Sequence, residues 1–231
     1  EKIILCLSGF ISAIGTVMLP KVSRMTRMKQ MDAVKRHIRL SMELVMCMVC
    51  AMAFGLAAVA VNFAPLFYGD DFAYSGTLMM PLAFTLLSIG FANVIRTQWV
   101  LPQGRDTIFV HSVLTGAVIN LIANFVLIPP FGAMGAAAAT VLAEFSVPAV
   151  QFVYLRKELP YAQYLKTTGV YCLFGLVMAG VVVLLGHVLP LHGWGKLAVQ
   201  VIGGAAVYGA LCLTYWKLAK RSDIFRLMRR K

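Results

Sequence analysis

Charge is what this chain has least of. Only 13% of its 231 residues are Asp, Glu, Lys or Arg, and nine of these are acidic against 21 basic. Soluble domains carry about 25% charged residues, so the polar surface needed to cover a water-facing globule is missing. The scarcity of acids leaves no paired carboxylates at catalytic spacing within the apolar segments. The patterns GxSxG, HExxH and a Walker loop ending in Gly-Lys-Ser/Thr are absent as well, so an enzyme is not expected and no cofactor is called for. Five cysteines all fall in or beside apolar runs. Cys47 and Cys50 form a CxxC, but without a second pair or a nearby histidine the reading is packing rather than metal or redox chemistry.

What the chain has in quantity is apolar surface. Hydrophobic residues make up 60% of it and the mean hydropathy is +0.82. A helix crosses a bilayer with about 20 apolar residues, and the sequence supplies Ile3–Leu19, Leu44–Phe67, Leu78–Val100, Ile108–Ile128, Ala133–Leu155, Val170–Leu189 and Leu197–Trp216. Runs such as Val181–Leu185 are apolar on every side, which excludes the period-two alternation of a barrel. The fold class expected is therefore all-α, a polytopic membrane helical bundle of seven spans.

The bases are not scattered. Lys21, Arg24, Arg27, Lys29, Lys35, Arg36 and Arg39 fill the first gap, Asp70 and Asp71 the second, Arg105 the third, and Arg156, Lys157 and Lys166 the fifth. The gap at Pro129–Gly132 is uncharged, and Lys217 to Lys231 form a basic tail. Basic gaps stay on the cytoplasmic side, which puts the carboxyl terminus inside and Glu1 outside. A net charge of +12 flanking spans points to anionic membrane lipids as partners and not to nucleic acid. Residues 22–39 read as an amphipathic interfacial helix after Pro20 closes span one. Glu1 is an odd outer start for a chain with no preceding signal segment, so a fragment of a longer protein is expected.

Few polar groups lie at membrane depth, and each has two readings. Glu144 sits about a dozen residues from either end of span five; a carboxylate there is a proton or cation site, with Pro148 freeing a carbonyl to assist, or a structural acid bonded to a neighbouring helix. Asn120 and Asn124, four apart, share a face of span four, as cargo contacts or as interhelical glue. Counting from Pro130 puts Asn120 and Glu144 within about one turn of the same depth. Arg96 either snorkels to the inner surface or forms a cationic wall for an anionic substrate, and Asn93 and Gln98 beside it favour a wet face. The small residues at Gly132–Ala139 mark span five as interior, while spans six and seven look more peripheral.

The order of landmarks resembles a known family. Leu19-Pro20-Lys21-Val22-Ser23-Arg24, then Leu66-Phe67-Tyr68-Gly69-Asp70-Asp71-Phe72, then Ile95-Arg96-Thr97-Gln98-Trp99-Val100-Leu101-Pro102, then Asn120 to Asn124 through Pro129-Pro130-Phe131-Gly132 to Ala137 together resemble the Wzx-like polysaccharide flippases of the multidrug/oligosaccharidyl-lipid/polysaccharide exporter superfamily. The resemblance covers residues 1–159. It implies two six-helix lobes around a cavity, with residues 1–159 a partial C-terminal lobe and 160–231 two additional helices with a basic cytoplasmic tail. The missing N-terminal lobe of the same protein is then a partner. The implied activity is flipping of undecaprenyl-pyrophosphate-linked oligosaccharide between leaflets of a bacterial cytoplasmic membrane, with H+ or Na+ as coupling ion. The peptidoglycan lipid precursor or cationic drugs are alternative cargoes, and an inactive truncated fragment is a further reading. Arg96 with Asn93, Gln98, Asn120 and Asn124 are the candidate substrate contacts and Glu144 the candidate coupling acid, assigned from burial and not from a family motif. No metal site is expected.

Overall fold

A computed structural model describes residues 2–188, 190 and 193–218. The expected outer position of Glu1 and the basic tail from Lys220 to Lys231 lie outside the described residues. The chain runs α1 (Lys2–Arg27), α2 (Met31–Tyr68), α3 (Ala73–Ala83), α4 (Thr85–Ile95), α5 (Asp106–Leu155), α6 (Tyr161–Val188) and α7 (Gly193–Leu218). Among the described residues six helical stretches are long and apolar enough to cross a membrane. The 50-residue α5 accounts for the difference from seven.

Helix α5 contains a reversal. Gly132 has φ 54° and ψ −129°, a backbone state that side chains with a Cβ rarely adopt. Pro129 and Pro130 just before it withhold two backbone donors. The two limbs, 106–131 and 133–155, then run back along each other. Gly116 lies against Val147 and the Ala143 carbonyl, and His111 Nδ1 is 3.0 Å from the Tyr154 hydroxyl. Spans four and five of the sequence reading are therefore the limbs of one tight hairpin.

Span three is also modified. Pro81 cannot donate to the preceding turn, the helix breaks at Phe84, and α4 resumes at Thr85. A π turn at Arg96–Val100 and a 3₁₀ turn at Leu101–Gln103 follow, and Gly104 (φ 65°) closes the loop into α5.

Pro20 does not close α1. The helix continues to Arg27, as helices in lipid tolerate proline where neighbours supply compensating contacts. The basic stretch 22–39 is consequently divided between the last turns of α1, a turn at 28–30 with Lys29 at φ 56°, and the start of α2. Val22 and Ile38 are fully buried, so its apolar face packs on the protein.

Helix α2 is the axis of the bundle. At 38 residues it is about 57 Å long, and it packs against α1, α3, α4, α6 and α7. Met42, Met46, Val49, Cys50 and Ala53 are fully buried along it, at the spacing of one helical face. Helices α6 and α7 dock on this axis. Tyr208 donates to the Cys47 carbonyl at 2.7 Å, and Cys47 and Cys50 face Cys212 and Cys172 at 3.6 and 3.7 Å, all as free thiols. The CxxC thus belongs to two separate packing contacts. Glu43, at the mouth of span two, is buried and accepts from the Tyr171 hydroxyl at 3.2 Å, which in turn accepts from Trp216 Nε1 at 2.9 Å. The central helix is therefore span two and not span five, whose limb pairs a small buried stripe (Gly135, Ala137, Ala139, Ala143) with exposed Leu142, Phe145 and Val153.

One end of the bundle gathers three of the basic gaps. Arg105 Nη1 donates to both Glu158 carboxylate oxygens, at 2.8 and 2.6 Å, Trp99 Nε1 donates to Glu158 at 3.0 Å, and Lys35 lies 5.8 Å from the Trp99 ring. Burial alone would raise the Glu158 carboxyl, but the hydrogen bonds from Arg105 and Trp99, with the charges of Arg105 and Lys35, outweigh it and hold it below the usual carboxylate range. A carboxyl with a depressed folded value stabilises the fold above its unfolded value of about 4.3, and that contribution disappears as pH falls through the lower folded value. Glu158→Gln should therefore melt below the wild type at pH 7, with the gap closing as the pH drops below about 4. Thermal melts of both proteins across that range check it.

Candidate functional site

A cavity of 440 Å³ opens between α1, α4 and the α5 hairpin. Asn93, Arg96, Asn120 and Glu144 all line it, so four of the six residues singled out from the sequence converge. Ser12 from α1 and Thr140 and Gln151 from the returning limb of α5 complete its polar lining.

Arg96 begins the π turn at the end of α4, and its guanidinium lies over the Phe109 ring at 4.9 Å. Its Nε is buried without a hydrogen-bond partner, and no carboxylate among the described residues pairs with it. A guanidinium stacked on an aromatic face and left without an anion keeps its donor fork available. Asn93 stands one turn before it, packed against α1 where Gly15 leaves room; a Cβ at Gly15 would collide with the Asn93 and Thr97 side chains.

Glu144 lies farther along the cavity. Its carboxylate makes no hydrogen bond with a described residue, while its backbone carbonyl accepts from the Ser88 hydroxyl. Pro148, four residues on, is the reason that carbonyl is free. The carbonyl expected to assist an ion is thus used to join α5 to α4. The hairpin register set by Gly116 against Val147 and His111 against Tyr154 brings Glu144 level with Asn120, as the residue count from Pro130 predicts.

Two expected contacts lie elsewhere. Asn124 donates to Asn120 Oδ1 at 2.9 Å and borders a separate apolar hollow with Leu121, Phe125, Ile128 and Pro129; it supports Asn120 from one turn away. Gln98 is 1% exposed and absent from the cavity wall, with both amide atoms unpartnered. Two residues beyond Arg96 it falls on the far side of the helix, so the wet face includes Asn93 and Arg96 and excludes Gln98. Among the described residues no group of three or more His, Cys, Asp or Glu could hold a metal ion.

A second, apolar hollow of 390 Å³ lies on the other side of α4, walled by Phe91, Phe145, Phe152 and Leu165. The returning limb of α5 therefore separates a polar cavity from an apolar one.

Comparison with known proteins agrees with this architecture. The family model described as lipid II flippase MurJ matches residues 3–203. The chain is 23% identical over 207 residues to the probable low-salt glycan biosynthesis flippase Agl15 of Haloferax volcanii, covering 89% of this chain and 43% of that protein. It is 22% identical over 135 residues to a putative O-antigen transporter of Shigella dysenteriae, covering 58% of this chain and 33% of that protein. Among solved structures, lipid II flippase MurJ in an inward closed conformation superposes with a TM-score of 0.76 over 92% of this chain and 45% of that chain, at 17% identity; this likeness concerns the fold alone. The chain spans less than half the length of these relatives.

Proposed function

The chain belongs to the lipid II flippase MurJ family, a multi-pass membrane family, and on that premise we propose that it carries part of the cargo path of a lipid-linked oligosaccharide flippase. The observation that supports this reading is Arg96, a cation with no carboxylate partner among the described residues, in a polar cavity within otherwise apolar spans. A diphosphate and its sugars need a polar route across the bilayer, and an arginine fork matches phosphate oxygens. The polyprenyl chain needs only apolar surface, which the hollow beyond α4 offers. The names of the two curated relatives, a glycan biosynthesis flippase and an O-antigen transporter, favour a glycan cargo; the carrier in this proposal is undecaprenyl pyrophosphate, moved from the inner to the outer leaflet of a bacterial cytoplasmic membrane. The peptidoglycan lipid precursor is the second reading, favoured by the family description. Cationic drug export fits less well, since Glu144 is the one acid among the described residues that line the cavity.

In this reading the end of the bundle holding Lys35, Arg105 and Arg156 faces the cytoplasm and its bases meet anionic lipid headgroups. The lobe of the same protein that would close the cavity is the partner against which residues 1–159 rock, with 160–231 as additional helices. Glu144 binds the coupling H+ or Na+. The test is transport by the whole protein in vesicles with an imposed proton or sodium gradient. Glu144→Gln should remove the acceleration given by the gradient and retain slow, gradient-independent flipping; a Glu144→Gln protein still driven by the gradient would exclude the acid from coupling.

A further inference from the structure

Gln151 is the cavity residue that the sequence does not advertise. It stands among Val150, Phe152 and Val153 near the end of span five, with no polar neighbour to mark a wet face. The structure places it in the cavity wall, 1% exposed, with Oε1 lacking any partner. A buried amide oxygen left without a hydrogen bond is destabilising, so a polar group at this position requires an explanation that packing does not supply.

Its position relative to Arg96 gives one. The hairpin register sets Gln151 opposite Val113, one turn from Phe109, on which the Arg96 guanidinium rests. Arg96 and Gln151 are thus within about one helical turn in depth, about 5 Å, on the same cavity. Both carry a buried polar atom with nothing bonded to it. Phosphate oxygens answer the guanidinium donor and leave the amide unsatisfied. A hydroxyl answers the amide in either of its two orientations, because it both donates and accepts. The ligand that satisfies the pair has anionic oxygens with a hydroxyl-bearing group directly attached.

We propose that Gln151 is a specificity-determining contact, hydrogen-bonding the first sugar of a diphosphate-linked glycan while Arg96 holds the diphosphate. The assignment rests on the flippase reading above and adds to it a residue that distinguishes a sugar-bearing carrier from a bare one. The experiment measures binding of two probes to the whole purified protein: undecaprenyl diphosphate, and undecaprenyl diphosphate bearing one N-acetylhexosamine. The wild type should prefer the sugar-bearing probe by about tenfold, the effect of one well-placed hydrogen bond on a site otherwise left unpaired. In Gln151→Leu the ratio should fall to about one, and the melting temperature should not drop, because an apolar side chain replaces an unsatisfied polar one. Gln151→Met serves the same purpose if the leucine packs poorly. A Gln151→Leu protein that keeps the wild-type ratio overturns the proposal and assigns Gln151 to an internal water. A wild type that binds neither probe overturns the flippase reading and this assignment together.

Discussion

Arg96→Ala should reduce surface display of the glycan by about thirtyfold or more in cells that depend on this protein, while the folded protein accumulates normally. The size follows from removing one partner of a buried, charge-assisted pair, which costs about 2–5 kcal/mol, or roughly one and a half to nearly four decades in an equilibrium or rate. Structural loss does not account for such an effect, because Arg96 has no carboxylate to leave stranded among the described residues. Its visible contact is with the Phe109 ring, worth about 0.5–2 kcal/mol. Arg96→Lys should recover only part of the activity, since an ammonium supplies charge without the planar fork. Glycan display per amount of folded protein, followed for all three side chains, reads the prediction. Equal display by the alanine and arginine proteins would assign Arg96 to snorkelling.

The second large effect is on folding. Gly135 faces the Leu127 carbonyl across the α5 reversal, and a Cβ there would sit inside the van der Waals envelope of that oxygen. The obstacle is backbone, so no rotamer change relieves it. Gly135→Leu should cost about 3 kcal/mol or more, at the upper end of overpacking effects, and splay the hairpin that separates the polar cavity from the apolar hollow. Gly180→Ala and Gly209→Ala are the controls. Nothing lies within 4 Å of the added methyl at either position, so each should be neutral or stabilising by up to about 1 kcal/mol through helix propensity. Thermal melts of the detergent-solubilised proteins separate the two classes. A Gly135→Leu protein with the wild-type melting temperature would mean that the limbs do not approach as closely as described.

The spans were legible because lipid imposes a strict length and polarity rule on each of them. The α5 hairpin was legible in Pro129-Pro130-Phe131-Gly132, where two missing donors and a glycine stand together. Depth counting brought Asn120 and Glu144 to one level, and Asn93 beside Arg96 marked a wet face of span three; that the two pairs share one cavity is a matter of how α4 packs on the α5 hairpin. Gln98 was misread for a reason also visible in the sequence. Helical geometry turns residue i+2 away from residue i, so proximity to Arg96 along the chain is separation in space. Helix α1 runs past Pro20 because proline removes a single backbone bond, which neighbouring helices in lipid tolerate. Glu43 and the Cys47–Cys212 and Cys50–Cys172 contacts were hidden because their partners lie on other helices, and Gln151 because the cavity it lines is walled by other elements. No local spacing encodes them. The role of α2 as the axis was hidden likewise, since its composition hardly differs from that of the helices around it.

In the proposed function the cavity holding Arg96 is the path taken by a diphosphate-linked glycan. The most direct test is the initial rate at which a labelled undecaprenyl-diphosphate glycan crosses proteoliposome membranes containing equal amounts of folded wild-type or Arg96→Ala protein. Crossing should be rapid with the wild type and at least about thirtyfold slower with the variant. Indistinguishable rates for the two proteins would exclude Arg96 from the cargo path.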